Sequence, residues 1–186
     1  MKIPNMLTLL RFFLIPVIIF LIYSSNSDLI FVSLIIFVFA VITDYFDGLI
    51  ARKFNQKSVF GTFFDPIVDK LLILSIFFVF SNLGLISIWI PLLFLFRELF
   101  VTGIRQVGST KEKIVGANWM GKSKFILQFL LAVQIYLYFY FQRVGINSLL
   151  FNQIAVNWFS WIVVIISLLY AFIFLYWYRE LLLKDL

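Results

Sequence analysis

Apolar residues run along this chain in long blocks, separated by short polar or turn-forming stretches at Ser24 to Asp28, Lys53 to Gly61, Ser81 to Gly84, Val107 to Gly121 and Gly145 to Asn152. The pattern predicts six helices, over 7–24, 29–53, 63–81, 84–106, 122–143 and 151–180. A hydrocarbon core roughly 30 Å thick needs about 20 apolar residues per crossing, and each block is close to that length or longer. The expectation is an all-α integral membrane protein, a six-transmembrane-helix bundle forming one domain over 1–186 and leaving no room for a soluble domain. The last block is long enough to carry an interfacial extension.

Composition agrees. Hydrophobic residues make up 63% of the chain, and the mean hydropathy of +1.07 lies far above that of a soluble domain. The 25 Phe residues read as packing and lipid-facing bulk, and Trp158, Trp161, Trp177, Tyr176 and Tyr178 fit interfacial belts or helix packing. The apolar run from Phe12 through Tyr23 follows Lys2 and Arg11 as a signal peptide would. No small-residue cleavage site comes after it, so a retained first helix is expected.

Charge sets the orientation. With the N-terminus in the cytoplasm, 14 of the 15 basic residues fall at inner helix ends or inner loops, and only Arg143 falls outside. Positive-inside counting therefore places both termini in the cytoplasm, in a multi-pass protein of the plasma membrane. Membrane lipids are its surroundings, and no nucleic-acid partner is expected. Cys and His are absent, which excludes thiolate nucleophiles, disulfides, imidazole or thiolate metal sites and histidine-based phosphoryl transfer. The remaining hard oxygen ligands favour Mg²⁺ or Mn²⁺.

Four of the nine acidic residues, Asp44, Asp47, Asp65 and Asp69, lie within 26 positions. Insertion scales put a carboxylate at a helix centre at about 2.5–3.5 kcal/mol, so such a cluster calls for partners or a wet cavity. Like charges at close range also oppose one another's ionisation, and divalent cations would remove that repulsion. At about 100° per residue, Asp44, Asp47, Gly48, Ala51 and Arg52 share an arc of about 140° at one end of the second helix. Gly48 and Ala51 keep this face low enough for a phosphate or nucleotide to approach, and Arg52 offers a forked donor. Asp65 and Asp69 are one turn apart on the next helix, facing the first pair. Structural roles are also open: Asp65-Pro66 could cap and open the third helix, and Asp44 could pair with Arg52.

The run Asp44-x2-Asp47-Gly48-x2-Ala51-Arg52-x8-Gly61-x3-Asp65-x3-Asp69 resembles the signature of the CDP-alcohol phosphatidyltransferase family at all eight specified residues. The resemblance extends over nearly the whole chain, since the family is similar in having six transmembrane helices with the motif at the cytosolic ends of the second and third. It implies that Asp44, Asp47, Asp65 and Asp69 are metal ligands, that Asp69 is also the general base, and that Gly48, Ala51, Arg52 and Gly61 shape the CDP site. Two metals about 3.5–4 Å apart suit that role, stabilising attacking and leaving oxygens in an in-line displacement. The lipid donor would be CDP-diacylglycerol, with CMP leaving. A homodimer is implied by the resemblance alone.

The acceptor is read from a second polar set on the same side. Arg97, Glu98, Thr102 and Arg105 lie in the fourth helix, and Lys122 and Lys124 open the fifth. A phosphorylated acceptor needs such cations, although either lysine alone would also serve as a positive-inside anchor. Arg97-Glu98-x3-Thr102-x2-Arg105, the opening Ile3-Pro4-Asn5-x-Leu7-Thr8-x2-Arg11 and Gly121-Lys122-x-Lys124 are similar to the phosphatidylglycerophosphate synthases, a subgroup of that family. Phe125 departs from that subgroup, which commonly has Thr there. The expected acceptor is sn-glycerol 3-phosphate, its phosphate bound by Thr102, Arg105, Lys122 and Lys124 with Arg97 and Glu98 supporting. Inositol phosphate, serine or phosphatidylglycerol are the alternative acceptors. A divalent-cation transporter is the alternative of another class, opposed by the placing of all four aspartates at one membrane edge and by Arg52.

Overall fold

The computed structural model describes the backbone of residues 3–53, 59–110, 119–146 and 151–183, and the side chains of 6–43, 64–106, 121, 123–146 and 151–179. Among the described residues it contains six α-helices and no strand: α1 (Ile3–Ile22), α2 (Ser27–Lys53), α3 (Val59–Asn82), α4 (Trp89–Thr110), α5 (Trp119–Val144) and α6 (Gln153–Leu183). The number and order of helices match the hydropathy reading.

The edges differ where local chemistry overrides hydropathy. α3 ends in a Schellman-type turn in which Gly84, at φ 74°, lets Leu85 N donate to Phe80 O at 3.0 Å. The chain therefore turns through 83–88, and α4 starts at Trp89 rather than at 84. Gly145, at φ 80°, ends α5 in the same way, with Ile146 N donating to Phe141 O at 2.9 Å. Asn26 and Asn152 cap α2 and α6, their side-chain oxygens accepting from Asp28 N at 2.8 Å and Ala155 N at 2.7 Å. The suggestion that Asp65-Pro66 opens the third helix is incorrect. α3 begins at Val59, and both residues lie within it. As the eighth residue of α3, Pro66 leaves the carbonyl four residues before it without its usual donor.

α1 packs on α2 and α3; α5 packs on α2, α3 and α6; α4 packs on α3 and α6. α3 thus touches α1, α4 and α5, which is what lets its polar first half meet residues from three other helices. The core is aromatic and aliphatic, with Phe37, Phe77, Phe80, Phe94 and Tyr136 fully enclosed. Tyr136 stands edge-on to Phe80 at 4.9 Å and is stacked on Phe37 at 5.8 Å.

The outer surface is equally apolar: Phe13, Phe20, Phe172, Ile154 and Trp158 are each more than 60% exposed. A soluble protein does not present apolar area on this scale, whereas lipid accepts it. Among the described residues, Ser123–Val144 and Gln153–Arg179 are long and apolar enough to cross a membrane, and Met6–Ile22 and Ser27–Thr43 are shorter apolar helices. The exposed Trp158 and Trp177 lie about 28 Å apart along α6 at the helical rise, close to a hydrocarbon thickness of roughly 30 Å.

Candidate active site

Charge gathers at one end of the bundle, where α1, α3 and α5 begin and α4 and α6 end. The first half of the site is built on α1 and α3. Thr8 and Arg11 are three residues apart on α1, and Asp65 and Asp69 are four apart on α3, so each pair presents one face. The faces meet in register. Thr8 Oγ1 donates to Asp65 Oδ1 at 2.5 Å, and Arg11 donates through Nη1 to Asp69 Oδ1. Thr8 and Arg11 are each 1% exposed, whereas the Asp69 side chain keeps 29% of its surface. Two buried donors therefore fix the orientation of two carboxylates that water can still reach.

The second half is built on α4 and α5. Glu98 accepts from Arg97 Nη1 at 3.2 Å and from Lys124 Nζ, all three side chains being 10% exposed or less. Sealed in this way, the carboxylate holds two cations that would otherwise be buried without a counter-charge. Lys70, next to Asp69 on α3, donates to Thr102 Oγ1 at 2.5 Å, and Thr102 Oγ1 donates to Glu98 O at 2.7 Å. This short relay ties α3 to α4.

Between the two halves lies a cavity of about 280 Å³. Asp69, Lys70, Glu98, Lys124 and Gln128 give it polar walls, and Ile73, Leu74, Pro66 and Phe125 line it with apolar surface. This volume is just below the roughly 300–1,000 Å³ usual for ligand sites, which suits a small polar molecule. Arg105 is exposed on α4, its guanidinium 5.5 Å from the Phe174 ring centroid. A Cβ built on Gly121, another cavity residue, would stand 3.7 Å from Arg105 Nη2, so the two adjoin at the cavity rim.

Of the residues expected from sequence, Asp69, Glu98 and Lys124 come together on this cavity. Asp65 stands one turn from Asp69, Thr102 is bonded to Lys70, Arg105 lies at the rim, and Arg97 is bonded behind Glu98. The side chains of Asp44, Asp47, Gly48, Ala51, Arg52, Gly61 and Lys122 lie outside the described residues, as does an Asp44–Arg52 pair. Among the described residues, no three carboxylates form a metal cage. The donor set of Asp65 and Asp69 is nonetheless hard oxygen on a single helix face, which suits Mg²⁺ or Mn²⁺.

Sequence reasoning placed no site role on Thr8, Arg11, Lys70 or Gln128. Lys70 was counted among the inner-side cations, although its position beside Asp69 was a signal. Gln128 follows Lys124 by one turn in an otherwise apolar run, and that was the only sign of it.

Residues 1–173 match the family described as CDP-alcohol phosphatidyltransferase. A CDP-diacylglycerol–glycerol-3-phosphate 3-phosphatidyltransferase of Rickettsia typhi is 40% identical over 127 residues, covering 68% of this chain and 71% of its own length. A probable phosphatidylglycerophosphate synthase of Mycobacterium tuberculosis is 40% identical over 130 residues, covering 68% of this chain and 62% of its own length. A CDP-diacylglycerol–glycerol-3-phosphate 3-phosphatidyltransferase of Salmonella choleraesuis is 37% identical over 128 residues, covering 66% and 70%. Together with the eight motif residues from Asp44 to Asp69, the match over residues 1–173 means that this chain belongs to the CDP-alcohol phosphatidyltransferase family.

Proposed function

We propose that this protein transfers a phosphatidyl group from CDP-diacylglycerol to sn-glycerol 3-phosphate, releasing CMP and phosphatidylglycerol phosphate. The observation that carries this reading is the cavity itself, which brings the Asp69 carboxylate together with Lys70 beside it and Lys124 on α5 in a space fit for a small anion. The names of the relatives point to the same donor and acceptor.

The chain's own residues divide the work. The terminal hydroxyl oxygen of the acceptor attacks the phosphorus that carries diacylglycerol. As the new P–O bond forms, the P–O bond to CMP breaks and CMP leaves with the bridging oxygen. Asp69 takes the hydroxyl proton, and Arg11 and Thr8 hold Asp69 and Asp65 in place for this chemistry. Lys124, Lys122, Arg105 and Thr102 bind the acceptor phosphate, while Arg97 and Glu98 support Lys124 from behind. Gly48, Ala51, Arg52 and Gly61 form the CDP site. Asp44, Asp47, Asp65 and Asp69 would hold two Mg²⁺ or Mn²⁺ ions, which neutralise the pyrophosphate and the leaving group when bound.

The setting is a single domain of six transmembrane helices, both termini in the cytoplasm, acting as a homodimer in the plasma membrane. Supporting this orientation, Arg11, Lys70, Arg97, Arg105, Lys124 and Arg179 all lie at or near the polar end of the bundle, and Arg143 lies at the opposite one. The test is CMP release by purified protein given CDP-diacylglycerol, Mg²⁺ or Mn²⁺ and a panel of alcohols. Preference for sn-glycerol 3-phosphate, lost on chelation, is expected. Equal or better turnover with serine or inositol phosphate would overturn the acceptor.

A further inference from the structure

We propose that Gln128 is a specificity residue whose side-chain amide reads the acceptor's non-reacting hydroxyl. The proposal rests on the acceptor-site reading above and deepens it. Gln128 is 2% exposed, lines the cavity, and its Nε2 has no hydrogen-bond partner among the described residues. A buried N–H left without an acceptor is costly, and native proteins rarely leave one unmet. The walls near it, Ile73, Leu74 and Phe125, offer no side-chain acceptor, so a partner has to come from within the cavity.

The position selects the kind of partner. Gln128 lies one turn beyond Lys124 on α5, about 6 Å further into the apolar span Ser123–Val144. A phosphate dianion stays with the cations at the outer part of the cavity, Lys70, Lys124 and Arg105 at its rim. What reaches the deeper amide is neutral. The reacting hydroxyl must remain at Asp69, which leaves the middle hydroxyl of a three-carbon phosphate to accept from Gln128 Nε2. A neutral amide donor suits a neutral hydroxyl oxygen, and an acceptor without that hydroxyl leaves the donor unmet, which is how a polar site rejects a deoxy analogue.

The experiment compares sn-glycerol 3-phosphate with 3-hydroxypropyl phosphate, which keeps the terminal hydroxyl and the phosphate but lacks the middle hydroxyl. CMP release by the full-length protein gives kcat/KM for each, in the wild type and in Gln128→Leu and Gln128→Met. The wild type is expected to favour sn-glycerol 3-phosphate by about 10- to 100-fold, the scale of one buried hydrogen bond. In both variants the ratio should fall to within about twofold of one, because only the hydroxyl-bearing acceptor loses a contact. A ratio that persists in either active variant overturns the role of Gln128, and so does a parallel loss with both acceptors in both variants, which marks a purely structural side chain. If the wild type uses neither phosphate but turns over another alcohol, the acceptor reading itself fails and the proposal fails with it.

Discussion

Two charged sets face one cavity, and they differ in how far water reaches them. On the α1–α3 side, Arg11 and Thr8 are buried while Asp69 keeps 29% of its surface. On the α4–α5 side the carboxylate itself is sealed, with Glu98, Arg97 and Lys124 all at 10% or less. The first arrangement fixes a carboxylate without closing it off, which is what a ligand for an incoming cation and a proton acceptor both require. The second spends one carboxylate on holding two cations, and with Lys70 nearby it leaves that wall net positive. The cavity therefore has one wall with an open carboxylate, suited to a cation or a proton, and another of net positive charge, suited to a phosphate.

On this division the largest effect lies on the open wall. Asp69→Asn should lower CMP release by about a thousandfold, within the range of a lost general base, while the protein still elutes as a folded species. Activity close to wild type in that variant would leave the open wall without its base.

Damage to the sealed wall should appear first as lost stability. Glu98→Gln leaves Arg97 and Lys124 buried without their carboxylate, and breaking such a set costs about 3–5 kcal/mol. A clear fall in the melting temperature in detergent is expected. An unchanged melting temperature would mean that Glu98 does not hold this wall together. The smallest effect belongs to the donor on α1: Thr8→Val removes one hydrogen bond to Asp65 and should cost about 1–2 kcal/mol, with activity lowered only several-fold. A loss as large as that of Asp69→Asn would show that Thr8 does more than orient a carboxylate.

The same contrast explains what could be read from the sequence. The six helices were legible because apolar residues run in long blocks along the chain, and four aspartates stood out because charge is rare within such blocks. The start of α4 was misplaced because Gly84 and the turn after α3 obey backbone rules that hydropathy does not report. Pro66 looked like a helix start yet lies about two turns inside α3, where the surrounding packing holds the helix together despite the missing N–H. The Thr8–Asp65 and Arg11–Asp69 bonds join residues 57 and 58 positions apart, which no local pattern encodes. Gln128 was hidden for another reason. A single amide in an apolar run acquires meaning only when packing buries it beside a cavity.

The most direct measurement follows the acceptor's own atoms. Purified protein in lipid is given CDP-diacylglycerol, Mg²⁺ or Mn²⁺ and sn-glycerol 3-phosphate labelled in its glycerol carbons, and the label is tracked into the lipid fraction. One labelled phosphatidylglycerol phosphate per CMP released, abolished by chelation and by Asp69→Asn, is the predicted result. CMP release with no label entering lipid, or label entering without divalent cation, would contradict it.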